Sequence, residues 1–448
     1  MPSDGSVPMI MLPVKSRLFI GVRRWGVLGL ALLLGQAAVS ELAAQPAVRW
    51  WKGNLHTHTL WSDGDDFPEM VVDAYKLRGY DFLALSDHNV LQEGEVWAVA
   101  TTNSVARRAL PRYLRRFGSN WVEQATHKGK PVVRLKTLEE FRGHFEAPGR
   151  FLLIQAEEVT DKFSRWPLHL IASNIRELVK PQGGDSPVEV MQRNIDAVLE
   201  QRERLGIPMM IHLAHPNFGW AVTAEDMIQL RGERFFEVYN GHPTVNNEGD
   251  ATHAGTERMW DIVNTHRIAE RREPALLGLA VDDAHHYAKQ ASNNANIGRG
   301  WVMVRASQLS AESIIGALEA GDFYSSTGVE LSDVTWRDNR LTVRVAPQPG
   351  ASYTIEFIGS RRPLDWNHKP VVSTNGHQLA VTRLYSAGMG AVLQSHRGTN
   401  ASYTWQGDEL YVRARITSSR VKENGVMPGE RERAWTQPVH PVPPARTP

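Results

Sequence analysis

Short, nearly continuous apolar runs recur along the chain from Trp50 onward, and most of them end at a cluster of His or acidic residues. Runs of this kind, apolar throughout, are typical of strands that are buried on both faces. The pattern predicts seven such strands, within residues 52–58, 81–88, 151–160, 168–172, 208–216, 235–240 and 275–285.

Helical patterns lie between several of these runs. Residues 68–79 and 187–205 both carry apolar side chains at helical spacing, and the first pattern stops at Gly79. Strands that alternate with helices favour a parallel α/β sheet, and polar residues at the C-terminal strand ends are typical of α/β barrels. We therefore predict a barrel over residues 45–330. An open doubly wound sheet is less favoured, because ligands from seven strands could hardly converge on one point in it.

Two further segments differ from this alternation. Residues 97–149 are long and carry basic clusters, so we expect an insertion with two helices and a turn, either a lid over the barrel mouth or a solvated excursion. Residues 331–440 alternate apolar and polar positions without helical patterns, which predicts a small antiparallel β-sandwich domain. Residues 441–448 form a Pro-rich tail that we expect to be frayed. Nothing in the C-terminal part has the pattern of a catalytic site.

The N-terminal segment has the pattern of an export signal. Basic residues from Lys15 to Arg24 precede an uncharged stretch over residues 25–40, and small residues follow around Ala43 and Ala44. The apolar run is short for a membrane-spanning helix, which needs about 20 residues. We predict a signal peptide over residues 1–44 and an exported protein, periplasmic or extracellular, without further membrane contact. A retained N-terminal anchor is the alternative.

The amino-acid composition excludes several kinds of site and partner. The chain has 50 Lys plus Arg against 49 Asp plus Glu, so its charge gives no bulk attraction to nucleic acid, and we expect none as a partner. It has no cysteine, which excludes thiolate nucleophiles, zinc fingers and iron–sulfur clusters. Any metal must be held by carboxylates and by some of the 17 histidines.

Several of those side chains stand at spacings that suit metal binding. His56 and His58 are two residues apart in a predicted strand, so they share a face and can hold one ion together. Glu157 and Glu158 face opposite ways on their strand, so only one of them can point inward. His212 and His215 present the same choice. Asp282 and His286 flank the last motif and either orient ligands or face solvent.

Five motifs together resemble the polymerase and histidinol phosphatase (PHP) superfamily: His56-Thr57-His58, Ser62-Asp63-Gly64, Ser86-Asp87-His88, Ala214-His215-Pro216 and Asp283-Ala284-His285. The resemblance covers roughly residues 50–330 and implies a distorted seven-stranded β/α barrel that holds two or three metal ions. Residues 237–241, 324–328 and 434–438 are similar to an exported branch that includes carbaryl-hydrolase-like enzymes.

The resemblance also implies a ligand set. His56, His58, Glu158 and Asp283 would surround one metal, and Glu158 would bridge to a second that His169 and His215 share. Asp63, His88 and His285 would hold a third. Glu158 is preferred to Glu157 because Val159 and Thr160 follow it as in the family, and His215 is preferred to His212 because Pro216 follows it. Imidazole and carboxylate ligands suit Mn, Zn and Fe alike.

The function implied is that of a metal-dependent hydrolase acting on a small-molecule ester. A metal-held hydroxide, positioned by Asp283, His285 and Glu158 without a separate nucleophile, would attack a phosphoester. Hydrolysis of a carbamate or carboxylic ester on the same site is one alternative, and a non-catalytic metal- or carbohydrate-binding module is another. Arg299 and His242, on loops after late strands, are candidates for substrate contact. The sequence leaves the oligomeric state open.

Overall fold

All seven apolar runs form strands, and these strands are neighbours in chain order within one large sheet. The computed structural model describes residues 9–11 and 48–441. The predicted signal peptide therefore lies outside the described residues except for residues 9–11, and so does residue 442 onward of the predicted tail. Within the described ranges, no helix is long and apolar enough to cross a membrane.

The described part of the chain contains the following strands: β1 (Met9–Met11), β2 (Arg49–Asn54), β3 (Phe82–Leu85), β4 (Val96–Val99), β5 (Gln124–His127), β6 (Lys130–Leu135), β7 (Leu152–Phe163), β8 (Trp166–Ser173), β9 (Met210–Leu213), β10 (Phe235–Asn240), β11 (Leu277–Val281), β12 (Trp301–Ala306), β13 (Phe323–Ser326), β14 (Leu331–Arg337), β15 (Arg340–Val345), β16 (Tyr353–Arg361), β17 (His368–Lys369), β18 (Leu384–Tyr385), β19 (Ala391–Arg397), β20 (Asn400–Thr404), β21 (Glu409–Val421) and β22 (Arg431–Thr436).

The helices lie mostly between the seven central strands: α1 (Pro68–Leu77), α2 (Val105–Phe117), α3 (Leu138–Phe145), α4 (Pro187–Leu205), α5 (Ala224–Gln229), α6 (Thr256–His266) and α7 (Ala311–Glu319), with a π-helical turn over Arg267–Arg271. The long helix α4 has clear sequence signals at both ends. The Ser186 hydroxyl accepts a hydrogen bond from the backbone N–H of Glu189, and Gly206 ends the helix with φ of 63°.

The seven central strands are mostly parallel, with one reversal. β2, β3 and β7 are parallel, and so are β9, β10 and β11. β8, in contrast, runs antiparallel to both β7 and β9. The chain turns directly from β7 into β8 through Ser164, whose φ is 56°, which leaves no room for the crossover helix that a parallel connection needs. The expected parallel arrangement is therefore wrong at β8.

The first and last of these seven strands meet just beyond their C-terminal ends. Thr57 and Ala284 form a parallel bridge. The backbone N–H of His58 donates to the carbonyl of Ala284 over 3.1 Å, and that of Asp283 donates to the carbonyl of His56 over 3.2 Å. Six of the seven strands also contribute to one buried apolar cluster that includes Trp51, Phe82, Ile154, Met210, Phe235 and Leu277. The strands thus converge, and so do the residues that follow them.

The insertion differs in part from the expectation. It contains two helices, α2 and α3, but also the strands β4, β5 and β6, which pair antiparallel and were not expected. β1 pairs antiparallel with β4. Trp61 and Phe67 from the segment after β2 pack with Tyr113 of α2 in one buried cluster. The insertion therefore rests on the segment that leads into α1.

The C-terminal part has two antiparallel layers that share a core. The sheet β14–β15–β20 and the strands β16, β21 and β22 of the large sheet contribute to one apolar cluster. The large sheet itself continues across residue 330, because β13 pairs with both β12 and β22. The Gln437 side chain also bonds the backbone of Gly278 in β11, so the two parts are joined by main-chain and side-chain contacts.

A buried ion pair adds to this junction. The Arg413 guanidinium in β21 donates to Asp261 of α6 through Nε at 2.9 Å and Nη2 at 2.7 Å. The Tyr411 hydroxyl donates to the same carboxylate at 2.7 Å. Both charged side chains are almost fully buried, so Asp261 without Arg413 would be a buried carboxylate that has lost its cation, whereas Arg413 also contacts Glu257 at 2.9 Å.

We therefore expect Arg413→Met to lower the free energy of unfolding by about 3–5 kcal/mol, because Asp261 would lose its cation inside the protein. The control is Arg420→Met, which removes a half-exposed pair with Glu432 on the same strand and should cost less than about 1 kcal/mol. Urea unfolding followed by circular dichroism measures both. Equal effects of the two substitutions would contradict the assigned importance of the buried pair.

Candidate metal centre

The predicted ligands all come together where the central strands end. His56, His58 and Asp63 follow β2, His88 follows β3, His215 follows β9, and Asp283 and His285 follow β11, while Glu158 lies within β7 and His169 within β8. Every one of these nine side chains belongs to at least one group whose ligand atoms lie within 4.8 Å of one another. The structure thus brings the whole predicted set into one cluster.

The reversal of β8 explains the position of His169. In the parallel strands the candidate ligands follow the C-terminal end, except for Glu158 in the middle of the long strand β7, but His169 is only the fourth residue of β8. Because β8 runs the opposite way, its N-terminal half lies at the edge where the neighbouring parallel strands end. The short β7–β8 turn therefore delivers His169 to the same place as the other ligands.

Glu158 is the centre of the cluster. Its Oε1 lies 2.8 Å from His169 Nδ1 and 3.1 Å from His215 Nε2. Its Oε2 lies 3.1 Å from His58 Nε2, 3.2 Å from His56 Nε2 and 3.1 Å from His88 Nδ1. The two oxygens of this carboxylate therefore contact two different sets of histidines, which is the arrangement that a bridging ligand requires.

Two imidazole nitrogens of the cluster lie close to each other and to two carboxylate oxygens. His56 Nε2 lies 3.1 Å from His58 Nε2, and these two nitrogens lie 3.3 and 3.2 Å from Asp283 Oδ1. Glu158 Oε2 stands 3.2 and 3.1 Å from the same nitrogens. Ligands at the Zn–N distance of about 2.0 Å in a tetrahedral shell are roughly 3.3 Å apart. The spacing of each imidazole nitrogen from the other nitrogen and from the two carboxylate oxygens therefore fits ligands of a divalent ion.

A further group lies beside this one. Asp63 Oδ1 is 3.3 Å from His285 Nε2, and Asp63 Oδ2 is 3.6 Å from His88 Nε2. His58 also approaches Asp63, with 3.6 Å between its Nδ1 and the carboxylate. These side chains could hold an additional ion, and their mixed imidazole and carboxylate set suits Zn, Mn or Fe.

Glu237 orients the histidines, although it is not among the predicted ligands. Its Oε1 lies 2.7 Å from His56 Nδ1 and 3.1 Å from His212 Nε2, and its Oε2 accepts the backbone N–H of His215 at 2.7 Å. A proton on His56 Nδ1 donated to this carboxylate leaves Nε2 free as a ligand atom. The signal in the sequence was an acidic residue inside the otherwise apolar strand β10.

Asp87 fixes the loop that carries Asp63. Its carboxylate accepts hydrogen bonds from the Thr59 backbone at 2.7 Å, the Ser62 hydroxyl at 2.6 Å and the Gln92 amide at 2.8 Å. The carboxylate is fully buried. The motif Ser86-Asp87-His88 thus supplies a candidate ligand through His88 and a support for the neighbouring loop through Asp87.

Two candidate ligands have strained backbones. The φ angles of His215 and Asp283 are 22° and 49°, in a region that residues other than glycine rarely adopt. Such conformations cost of the order of 1–3 kcal/mol each and persist only where the surroundings enforce them. Their occurrence at two clustered ligands is typical of a functional site.

The cluster strongly perturbs its own acid–base equilibria. Burial alone would raise the pKa of Glu158, but the imidazoles of His88 and His56 outweigh it and hold that pKa well below its usual range. Burial opposes a charge on His58, yet Asp283 and Glu158 raise its pKa to about 10. The pKa of His56 is likewise raised by the surrounding carboxylates. In the metal-free chain, protonated imidazoles thus balance the buried carboxylates.

An open cavity of about 230 Å³ adjoins the cluster, and ten residues line it: Asp63, His88, Glu158, His169, His215, Phe218, His242, Thr244, Asp283 and His285. His242, a predicted substrate contact, is among them. Burial and the neighbouring imidazoles lower its pKa to about 4, so it is neutral at pH 7. The backbone N–H of Thr244 lies 3.3 Å from His242 Nδ1, which assigns the ring proton to Nε2.

Arg299, the other predicted substrate contact, does not line this cavity. It is fully buried, and its guanidinium donates to the carbonyl oxygens of Gly241 at 2.8 Å, Asn294 at 2.6 Å and Asn424 at 2.9 Å. Since the guanidinium is committed to backbone oxygens, it is not available to a substrate at this cavity. The sequence indicated only that Arg299 lies on a loop. It could not show that the folded loop buries the side chain.

The structure also distinguishes the members of the two pairs between which the sequence offered a choice, Glu157 or Glu158 and His212 or His215. Glu157 faces away from the cluster and accepts the backbone N–H of Val179 at 2.9 Å, and burial raises its pKa to about 7. His212 bonds Glu237 and lies outside the four ligand groups of the described residues. Asp282 is fully buried and bonds the backbone of residues 298–300.

Metal affinity should rise with pH. His56, His58 and His215 have raised pKa values in the metal-free chain, so each proton must be displaced when the nitrogen becomes a ligand. We expect the Zn²⁺ dissociation constant to fall about tenfold or more between pH 6 and pH 8, with protons released on binding. Calorimetric titration in buffers of different ionisation enthalpy measures this release. A binding enthalpy that is the same in every buffer would contradict it.

No protein-family model matches the chain, and no curated protein matches it. Among solved structures, a two-domain protein from Bacteroides vulgatus containing a predicted PHP-like metal-dependent phosphoesterase is similar at 12% identity and a TM-score of 0.38, over 87% of this chain and 95% of that one. A candidate metal-dependent phosphoesterase from Bifidobacterium adolescentis is similar at 13% identity and a TM-score of 0.26, over 53% of this chain and 88% of that one. Likeness at this level does not establish a shared activity.

Proposed function

We propose that this chain is a metal-dependent hydrolase of the PHP type that cleaves phosphoesters of small molecules at the cavity beside the ligand cluster. One observation carries the proposal: Glu158 directs its two oxygens at two separate sets of histidines, next to a cavity open to a substrate. A cluster built only to stabilise the fold would not need an open space on one side.

Two or three divalent ions of Mn, Zn or Fe would occupy the cluster. On the division that the family resemblance implies, His56, His58, Glu158 and Asp283 would hold one, Glu158 with His169 and His215 a second, and Asp63, His88 and His285 a third. All nine side chains belong to the ligand groups of the described residues. Such ions lower the pKa of bound water and stabilise negative charge that develops on an ester in the transition state.

The chain's own residues position this chemistry. Glu237 holds His56 in one tautomer, and the carbonyl of Asp283 lies 2.9 Å from His285 Nδ1, which leaves His285 Nε2 directed at Asp63. His242 retains its proton on Nε2 and lines the cavity, so it can donate a hydrogen bond to a substrate oxygen. Asp283, His285 and Glu158, to which we assign the central roles, line the cavity and belong to the ligand groups, as do four further candidate ligands: Asp63, His88, His169 and His215.

The cavity also bears on the charge of the substrate. No lysine or arginine is among the described residues that line it, and Phe218 forms part of its wall. A phosphate monoester dianion is commonly bound by such cations. A phosphodiester, which carries one negative charge, therefore fits better than a monoester. The same observation favours a second candidate, hydrolysis of an uncharged carbamate or carboxylic ester.

Three expectations belong to the same proposal. The bridge between Thr57 and Ala284 supports a closed seven-stranded barrel, and the shared core of the two C-terminal layers supports a β-sandwich. The basic and apolar N-terminal segment supports export to the periplasm or the cell exterior. An exported enzyme of balanced charge would meet small-molecule esters rather than nucleic acid.

Hydrolysis by the metal-loaded chain tests the proposal. The substrates are an aryl phosphate monoester, an aryl phosphodiester and an aryl carbamate, each assayed after loading with Mn, Zn or Fe. We expect the phosphodiester to be cleaved fastest. Asp283→Ala should lower the amount of bound metal, measured by elemental analysis, and reduce turnover at least about 100-fold. The substitution removes a candidate ligand and leaves the buried imidazoles of His56 and His58 without this carboxylate.

Asp250→Ala is the control, since Asp250 lies at the surface and bonds His253 away from the cluster. It should retain metal and activity. Turnover of the carbamate alone would favour the second candidate. Metal binding without turnover of any substrate would favour a binding module, and an unchanged metal content in Asp283→Ala would contradict its role as a ligand.

His242 should contribute to turnover without holding metal. We expect His242→Phe to lower kcat about tenfold to 100-fold, the value of a hydrogen bond to a charged group, while metal content stays unchanged. His253→Phe is the matched control, because His253 stacks on Trp220 and does not line the cavity. A His242→Phe variant that loses metal would reassign this residue as a ligand.

A further inference from the structure

The connection between β21 and β22, residues 422–430, reaches from the C-terminal part to the loop that carries two candidate ligands. This loop, residues 282–300, joins β11 to β12 and includes Asp283 and His285. Asn424 makes three hydrogen bonds with it. Its Nδ2 donates to the carbonyl of Ile297 at 2.8 Å, its Oδ1 accepts from Asn296 Nδ2 at 2.8 Å, and its carbonyl accepts from Arg299 Nε at 2.9 Å.

Lys422 makes a second attachment. Its Nζ is buried and donates to the carbonyl of Arg299 at 2.7 Å and to the Tyr239 hydroxyl at 2.9 Å. The Tyr239 hydroxyl in turn donates to Glu430 Oε1 at 2.7 Å. Both ends of the 422–430 connection are therefore tied to the barrel strand β10 or to the 282–300 loop.

The attached part of the loop holds the residue next to a ligand. The Asp282 carboxylate accepts three successive backbone N–H groups, from Gly298 at 2.9 Å, Arg299 at 2.6 Å and Gly300 at 2.8 Å. Asp282 directly precedes Asp283, whose φ of 49° requires its surroundings to enforce it. Residues 298–300 thus fix the backbone from which the strained ligand projects.

The same loop also supports the other side of the cluster. The backbone N–H of His285 donates to the carbonyl of Ala295 at 3.0 Å. Arg299 Nη1 donates to the carbonyl of Gly241, the residue before His242, at 2.8 Å. Hydrogen bonds and the short chain segments between them therefore connect Asn424 and Lys422 to three points of the site: Asp282 before Asp283, the backbone of His285, and Gly241 before His242.

We infer that the 422–430 connection is a positioning element of the metal centre, with Asn424 and Lys422 as positioning residues for Asp283 and His285. The inference rests on the proposed metal-dependent function. Neither residue belongs to the ligand groups of the described chain, so both act through the 282–300 loop. The C-terminal part is then required for full metal affinity, although it supplies no ligand, and a barrel ending near residue 330 would lack this support.

The experiment compares full-length Asn424→Ala and Lys422→Met with the wild-type chain. Zn²⁺ dissociation constants are measured by competition with a chromophoric chelator, and the visible spectrum of the Co²⁺-loaded protein reports on the geometry of the ligands. We expect each substitution to weaken Zn²⁺ binding about tenfold or more, as loss of outer supports of metal ligands commonly does, and to change the Co²⁺ spectrum. Far-UV circular dichroism checks that each variant is folded.

Ser419→Ala is the control. Ser419 lies on β21 just before the 422–430 connection, and its hydroxyl accepts the backbone N–H of Ser352 at 3.0 Å, a hydrogen bond within the C-terminal part. It should leave Zn²⁺ affinity within about twofold and the Co²⁺ spectrum unchanged, since no support of the ligands is removed. A similar loss of affinity in Ser419→Ala would mean that general destabilisation, rather than positioning, explains the effect.

The outcomes separate the two proposals. If the wild-type chain binds metal and both Asn424→Ala and Lys422→Met bind it equally well with an unchanged Co²⁺ spectrum, the positioning role is overturned and the proposed function stands. If the wild-type chain binds none of the metals, the proposed function and the positioning role both fail. Weakened binding and an altered spectrum in the two folded variants, with Ser419→Ala unaffected, support the positioning role.

Discussion

The burial of the Glu158 carboxylate is the constraint on which the rest of the site depends. A buried carboxylate is costly unless positive charge or hydrogen-bond donors surround it. Here the nearest partners are imidazole nitrogens contributed by different strands and the segments after them: His56, His58, His88, His169 and His215. The carboxylate can be accommodated only if those strands converge. The order of the strands in the sheet and the residues of the site therefore depend on each other.

The reversal of β8 follows from the same requirement. A parallel strand would deliver a ligand from its C-terminal end, whereas β8 delivers His169 from its N-terminal half because it runs the other way. A tight turn at Ser164 thus replaces a crossover helix and still brings an imidazole within 2.8 Å of Glu158 Oε1. The local turn and the position of the ligand are therefore coupled.

The sequence predicted the parts of the molecule that depend on local patterns. Seven apolar runs form strands, and the five motifs contain seven of the nine side chains that the structure brings together, while Glu158 and His169 come from the ligand set that the resemblance implies. Tertiary contacts decided what the sequence could not. The direction of β8 depends on a two-residue turn, and the strands of the insertion are short and partly polar. The role of Glu237 depends on a contact with His56, which is 181 positions away in the sequence. The sequence suggested an exposed cation at Arg299, but the folded loop buries its guanidinium against backbone carbonyls.

The strain at Asp283 gives the C-terminal part a physical reason to be attached to the loop that carries this ligand. A positive φ at a carboxylate ligand costs of the order of 1–3 kcal/mol, and a bound ion could offset that cost only while it is present. For the ligand to be in place before the ion arrives, protein contacts alone must enforce the conformation. Asp282 and residues 298–300 do so directly, and Asn424 holds those residues from a distant part of the sequence. Without this support, part of the binding free energy of the ion would be used to order the loop, and the metal affinity would fall by that amount.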